Sequence, residues 1–193
     1  MLSWWNRAVS LLPSLVIVLS IAYPFGVLAV GADAPPFTFV VAACVLLGLR
    51  AIVRPPQWIG TLRWPAAVAI AMIGGLALLD STIAAKAYPV VVSGGFALLF
   101  GVSLWRAPSL VERIAELNGD VLSPAARRYC RRVTMVWAFW LAMNTLTAAA
   151  LALAGSVAAW ALWTGFVFYL ITGLIFAGEL ALRRLLQRKH TAA

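Results

Sequence analysis

Six apolar stretches divide this chain, and fourteen of its fifteen Lys and Arg residues fall in alternate gaps between them. Arg7 precedes the first stretch, and Arg50, Arg54 and Arg63 lie between the second and third. Arg106, Arg113, Arg127, Arg128, Arg131 and Arg132 lie between the fourth and fifth, and Arg183, Arg184, Arg188 and Lys189 follow the sixth. The remaining three gaps hold one cation, Lys86. Cations flanking membrane-spanning segments stay on the cytoplasmic side. The pattern therefore predicts an all-α, polytopic integral membrane bundle of six helices, a single membrane domain with both termini cytoplasmic.

Composition agrees. Hydrophobic residues make up 64% of the 193 positions and charged residues 11%, far from the roughly half-apolar content of a soluble domain. The net charge of +9 would suggest nucleic acid in a soluble chain, but here it is split among separate juxtamembrane clusters. Orientation and contact with anionic phospholipid account for it, and no nucleic-acid partner is expected. The two cysteines, Cys44 and Cys130, cannot build a disulfide framework, and neither has metal-ligand spacing to His190, the lone histidine. No metal or cofactor is expected.

The spans are expected at residues 9–30, 36–53, 65–79, 87–105, 133–154 and 157–181. Arg7, the apolar run and Ala32-Asp33-Ala34 also fit a signal peptide, but the run exceeds the usual h-region and Pro13 and Pro24 suit a kinked span. The third span, fifteen apolar residues, reaches only about 22 Å against a core of about 30 Å, so it either extends past Asp80 or tilts little. Arg54, Pro55, Pro56 and Gln57 make a cytoplasmic turn, and Gly155-Ser156 a tight outer one that sets the last two spans antiparallel. Trp4, Trp5, Trp58, Trp64 and Trp105 mark the inner interface, Trp160 and Trp163 the outer. Residues 186–193 form a tail, disordered after Lys189. The echo of Gly74-Gly75-Leu76-Ala77-Leu78-Leu79 in Gly94-Gly95-Phe96-Ala97-Leu98-Leu99 allows an inverted repeat, although close helix approach is the simpler use of each glycine pair.

Polar residues are few enough to weigh singly. Ser109 and Glu112 form a capping box that opens a short amphipathic helix at residues 109–118, with Leu110, Ile114 and Leu117 on one face and Asn118-Gly119 as its stop. It either lies on the inner leaflet or packs as a cap under the bundle. Ser123-Pro124 then begins the fifth helix, whose Arg127, Arg128, Arg131 and Arg132 form two adjacent pairs near a helix N-terminus. Four cations there oppose the helix dipole, so a phosphate-bearing lipid headgroup would relieve them; a plain stop to translocation is the alternative. Asn144 sits mid-span with Ala148 and Ala152 continuing its face, the pattern of an interhelical hydrogen bond or a substrate contact. Asp80 and Lys86 lie near outer helix ends as an ionisable pair, either a functional intramembrane one or a headgroup-level salt bridge, and Glu179, one turn before Arg183, suits an interfacial i, i+4 pair. No nucleophile–base set, phosphate loop, carboxylate pair or metal cluster is present, so no catalytic residues and no enzymatic activity are expected.

"GGLALLD", "AKAYPVVVSGGFALLFGVSLW", "PSLVERIAEL", "AARRYCRRVTMVWAFWLAMNTLTAA" and "WALWTGFVFYLITGLIFAGE" resemble, in order, the inner-membrane septation protein A family over roughly residues 70–184. A nearer likeness is to proteobacterial inner-membrane proteins encoded beside aryl-polyene and fatty-acid-like synthesis genes. Lys86, Arg113, Trp137, Asn144 and Trp163 carry the pattern. The likeness implies a bacterial inner-membrane protein with an envelope or lipid-related role and no established catalytic residues, and the longer, arginine-rich cytoplasmic face departs from the septation family. Together these readings point to a non-enzymatic accessory protein of envelope-lipid or lipid-linked pigment (aryl-polyene-like) biosynthesis, with anionic phospholipid and biosynthetic proteins as partners. The alternative is a small lipid or metabolite transporter, which a polar cavity joining Asn144 to the Asp80 and Lys86 level would favour.

Overall fold

A computed structural model describes residues 18–30, 34–52 and 63–191, without the side chains of 50–52, 63–67 and 185–191. Among the described residues every regular element is helical. Helix α1 (Val18–Val30) is followed by α2 (Pro36–Ile52), α3 (Arg63–Leu79), α4 (Ser81–Ser103), the short α5 (Leu110–Leu117) and the long α6 (Pro124–Ala154). After α7 (Val157–Leu162) comes a π-turn (Trp163–Val167) and then α8 (Phe168–Thr191). The expected first half of span one, Arg7, Trp4, Trp5, the turn at Arg54 to Gln57 and Trp58 lie outside the described residues.

Among the described residues three helical stretches are long and apolar enough to cross a membrane: Ser81–Ser103, Pro124–Ala154 and Val157–Arg184. Val18–Val30, Pro36–Leu49 and Val68–Leu79 are shorter apolar helices. The outside of the bundle is strongly apolar. Leu98, Phe139, Leu153 and Leu174 are each at least 65% exposed, a surface that suits lipid and would be a liability in water.

Helix α4 is the hub, packing most extensively on α6 and also on α2 and α3. Buried Ala84, Ala85, Ala87, Ala152 and Ala161 let backbones approach there, and Trp160 and Ile73 fill the remaining volume. This core occupies the half of the bundle that holds the start of α4, the end of α6 and the start of α7. At that end Gly155 has no room for a side chain, because a Cβ would stand 2.7 Å from the Leu151 carbonyl oxygen. Ser156 then caps α7 by accepting from the Ala159 N–H at 3.1 Å, so two residues suffice to reverse the chain.

Several expectations are corrected. Helix α3 stops at Leu79 and does not extend past Asp80. Asp80 instead caps α4, accepting from the Thr82 and Ile83 N–H groups at 2.7 and 3.1 Å, so α4 starts six residues before the expected 87. Trp160 is wholly buried and Trp163 turns inward, so neither belongs to an outer interfacial belt, whereas Trp105 at 86% exposure suits the inner one. Gly94 does meet α6, where a Cβ would stand 3.3 Å from Thr145 Cγ2, but a Cβ at Gly74, Gly75 or Gly95 would meet nothing within 4 Å. The tail is helical as far as Thr191.

Candidate functional site

Three backbone irregularities converge at half depth in the bundle. Pro24 lies within α1 and Pro89 within α4, and the π-turn Trp163–Val167 separates α7 from α8. Proline cannot supply the N–H that the carbonyl four residues earlier needs. In α4 that carbonyl is Ala85, and the single Tyr23 hydroxyl proton of α1 is shared between it, at 2.5 Å, and the Phe39 carbonyl at 3.1 Å. At the π-turn the Phe168 N–H reaches back five residues to Trp163, and the Thr164 hydroxyl donates to the Trp160 carbonyl at 2.8 Å. Gly165 admits the Phe25 ring of α1, since a Cβ there would come within 2.5 Å of it. Such breaks persist in lipid only where neighbours or a cavity satisfy the freed groups.

Between these breaks lies a cleft of about 160 Å³. Its polar lining is Ser20, Tyr88, Ser93, Asn144, Thr164 and Tyr169; Val92, Phe96, Leu141 and Phe168 supply apolar walls. Asn144 organises it. Its Nδ2 donates to Ser93 Oγ at 2.6 Å and its Oδ1 accepts from Trp163 Nε1 at 2.9 Å, so one amide ties α6 to both α4 and the π-turn. Asn144 and Ser93 are 3% and 5% exposed, a depth at which a polar group left unpaired is costly. Nearby, Tyr88 donates to Ser20 Oγ at 2.8 Å and Trp140 donates to Thr172 at 3.0 Å.

The other candidate residues lie elsewhere. Asp80 and Lys86 form no ion pair: Asp80 is occupied as a cap, and Lys86, 8% exposed, sends its ammonium to the Ala152 carbonyl at 3.5 Å. That carbonyl belongs to the last turn of α6, where free carbonyls and the helix dipole favour a cation. At the opposite end, Arg127 bonds Glu116 at 2.9 Å and stands 3.9 Å from Glu112, so its charge is answered within the chain. Arg128, Arg131 and Arg132 are exposed. Helix α5 is a packed cap as well as an amphipathic one. Its buried face is Leu110, Val111 and Ala115, with Leu117 exposed rather than sharing the face of Leu110. The Val111 N–H donates to buried Thr134 of α6 at 3.3 Å. The expected capping box does not form: the Ser109 hydroxyl donates to the Glu112 carboxylate at 2.7 Å, and neither side chain caps a backbone N–H of α5. Glu179 pairs with Arg183.

Three groups at this end, outside the apolar parts of α6 and α8, have shifted acidities, and burial pushes the first of them, the Tyr129 hydroxyl, up. Burial pushes the Cys130 thiol up, against the opposing pull of the Arg183 charge. Burial also disfavours the Arg183 charge, but the Glu179 carboxylate outweighs it and the net shift is upward. Among the described residues no group of three or more His, Cys, Asp and Glu side chains could hold a metal ion.

Sequence reasoning had singled out Asn144 and missed its partners. Ser93 carried a signal, as a polar residue one turn after a mid-span proline, while Tyr88, Thr164 and Ser20 are common span residues whose facing shows only in the fold. What the fold defines is a helical membrane-type bundle with a polar cleft at half depth. The chain matches no protein-family model, no curated protein and no solved structure.

Proposed function

We propose that this is a non-catalytic protein of the bacterial inner membrane that holds a lipid or acyl intermediate during envelope-lipid or lipid-linked pigment formation. In this reading it crosses the membrane six times, with both termini in the cytoplasm as the cation map predicts. Exposed Arg128, Arg131 and Arg132 face the anionic inner leaflet, and Arg127 braces α5 against α6.

The observation that carries the reading is the cleft around Asn144, polar inside and set among apolar walls. It supports binding over passage. Lys86 and Asp80 are not among its lining residues, and the half of the bundle beyond it is filled by Ala84, Ala85, Trp160 and Ala161. A transporter of the kind weighed from the sequence would need a polar path through that core.

Deletion of the gene, followed by analysis of envelope lipids and pigments, tests the role. The expected outcome is an altered lipid or pigment profile, restored by the wild-type chain and not by Asn144→Leu. An unchanged profile in the deletion strain would remove this function.

A further inference from the structure

The cleft's hydrogen-bonding inventory is lopsided. Asn144 uses one of its two amide N–H groups on Ser93, and Ser93 accepts that bond while its own hydroxyl proton meets no acceptor among the described residues. A serine in a helix commonly turns its hydroxyl to the carbonyl four residues back, as Thr134, Thr145 and Thr164 do here. Ser93 does not. The Thr164 and Tyr88 protons are already committed, to the Trp160 carbonyl and to Ser20. Two donors with spare protons therefore stand side by side, both more than nine-tenths buried and both lining the cleft. Among the described residues no charged side chain lines it.

We infer that the cleft takes the carbonyl end of an uncharged acyl ester, with the ester oxygen held by the Ser93 hydroxyl and the second N–H of Asn144. The inference rests on the lipid-binding reading above and adds the chemistry of the ligand. A carbonyl oxygen has two lone pairs and no proton, which complements two donors. A carboxylate would bring a charge into a lining without a cation, at a large desolvation cost. About 160 Å³ is roughly five water volumes, room for an ester group and the first carbons of its chain. The rest of the chain stays in the bilayer, passing the 36%-exposed ring of Phe96 at the rim.

The test uses the full chain purified in dodecyl maltoside and three photoactivatable sixteen-carbon probes, each carrying a diazirine: a methyl ester, a free carboxylate and an alkane. The ester should label peptides of α4, α6 and α8 that line the cleft, ahead of both other probes. Ser93→Ala should cut ester labelling roughly threefold to fifteenfold, the effect of one hydrogen bond in an apolar setting, and leave alkane labelling unchanged. Ser93→Thr, which keeps the hydroxyl, should retain labelling, and Phe96→Trp should reduce it by narrowing the rim without touching either donor. Equal labelling by ester and alkane, stronger labelling by the carboxylate, or full ester labelling in both Ser93→Ala and Phe96→Trp would overturn the assignment. A deletion phenotype accompanied by any of these results would leave the lipid role standing and remove only the ester chemistry.

Discussion

Asn144 is the residue on which most of the interior polarity turns. It joins α6 to α4 through Ser93 and to the π-turn through Trp163, so Asn144→Leu strands a buried hydroxyl and an indole N–H at once. The expected loss is about 1–3 kcal/mol, read as a lower thermal midpoint in detergent. Trp163→Phe alone should cost less, and in the Asn144→Leu background it should cost almost nothing, because the bond it removes is already gone. Fully additive losses would show that the Trp163–Asn144 bond contributes no stability. That Asn144 would be buried was legible, since an amide in an apolar run needs a partner. Which partner was not, because serine and tryptophan serve equally well on the lipid side of a helix, and only its rotation decides. Lys86 carries the same lesson. Its charge marked it out, but its contact is a backbone carbonyl at the end of another helix, which has no sequence signature.

Among the elements, α4 bears a defect that another helix repairs. Pro89 deprives the Ala85 carbonyl of its helical donor, and Tyr23 supplies one from α1. Tyr23→Phe should therefore destabilise by about 1–2 kcal/mol, and by distinctly less in a Pro89→Ala background, where residue 89 regains its N–H. A double-mutant cycle on thermal unfolding measures the difference, and an unchanged Tyr23→Phe cost would mean that the repair is not what the hydroxyl provides. Some helix ends were readable, because caps are local chemistry: Ser123 before Pro124, and Gly119 at φ +90 closing α5. Ser109 and Glu112 were placed correctly at the start of α5 but bond each other instead of capping its backbone. The π-turn was not. It arises where Gly165 accommodates Phe25 and Trp163 reaches Asn144, contacts made between helices rather than within one. The joint between α3 and α4 was misread for a related reason. Asp80 looked like half of an intramembrane pair, and its cap shortens the link between two helices to one residue.

At the scale of the whole molecule the cation map predicts orientation, and the helices place its elements at consistent ends. Arg128, Arg131 and Arg132 stand at the start of α6, and Gly155 follows its last residue. Reporter fusions after His190 should behave as cytoplasmic, and fusions near Asp33, Ser81 and Gly155 as periplasmic. A periplasmic C-terminus would remove the six-span count, with α3 as the span to discard. Lipid contact can be examined on the same footing. Because Arg127 is engaged with Glu116, the informative variant is Arg128→Gln with Arg131→Gln. At about 1 kcal/mol per surface contact it should lower co-purified anionic phospholipid roughly tenfold to thirtyfold, whereas Arg127→Gln should instead loosen α5. Unchanged retention in the double variant would leave those arginines with orientation alone.

Helix α6 differs from its neighbours in one respect. Past its first residue it contains no proline and no π-turn, and it runs for 31 residues, about 46 Å, from the arginines to Gly155. The helices facing it across the cleft are interrupted, by Pro89 in α4 and by the π-turn before α8, whereas α6 is continuous. A torque applied at the membrane surface through Arg128 and Arg131 would therefore rotate Asn144 through a similar angle. The arginines at one end and the amide in the cleft share a single unbroken rod.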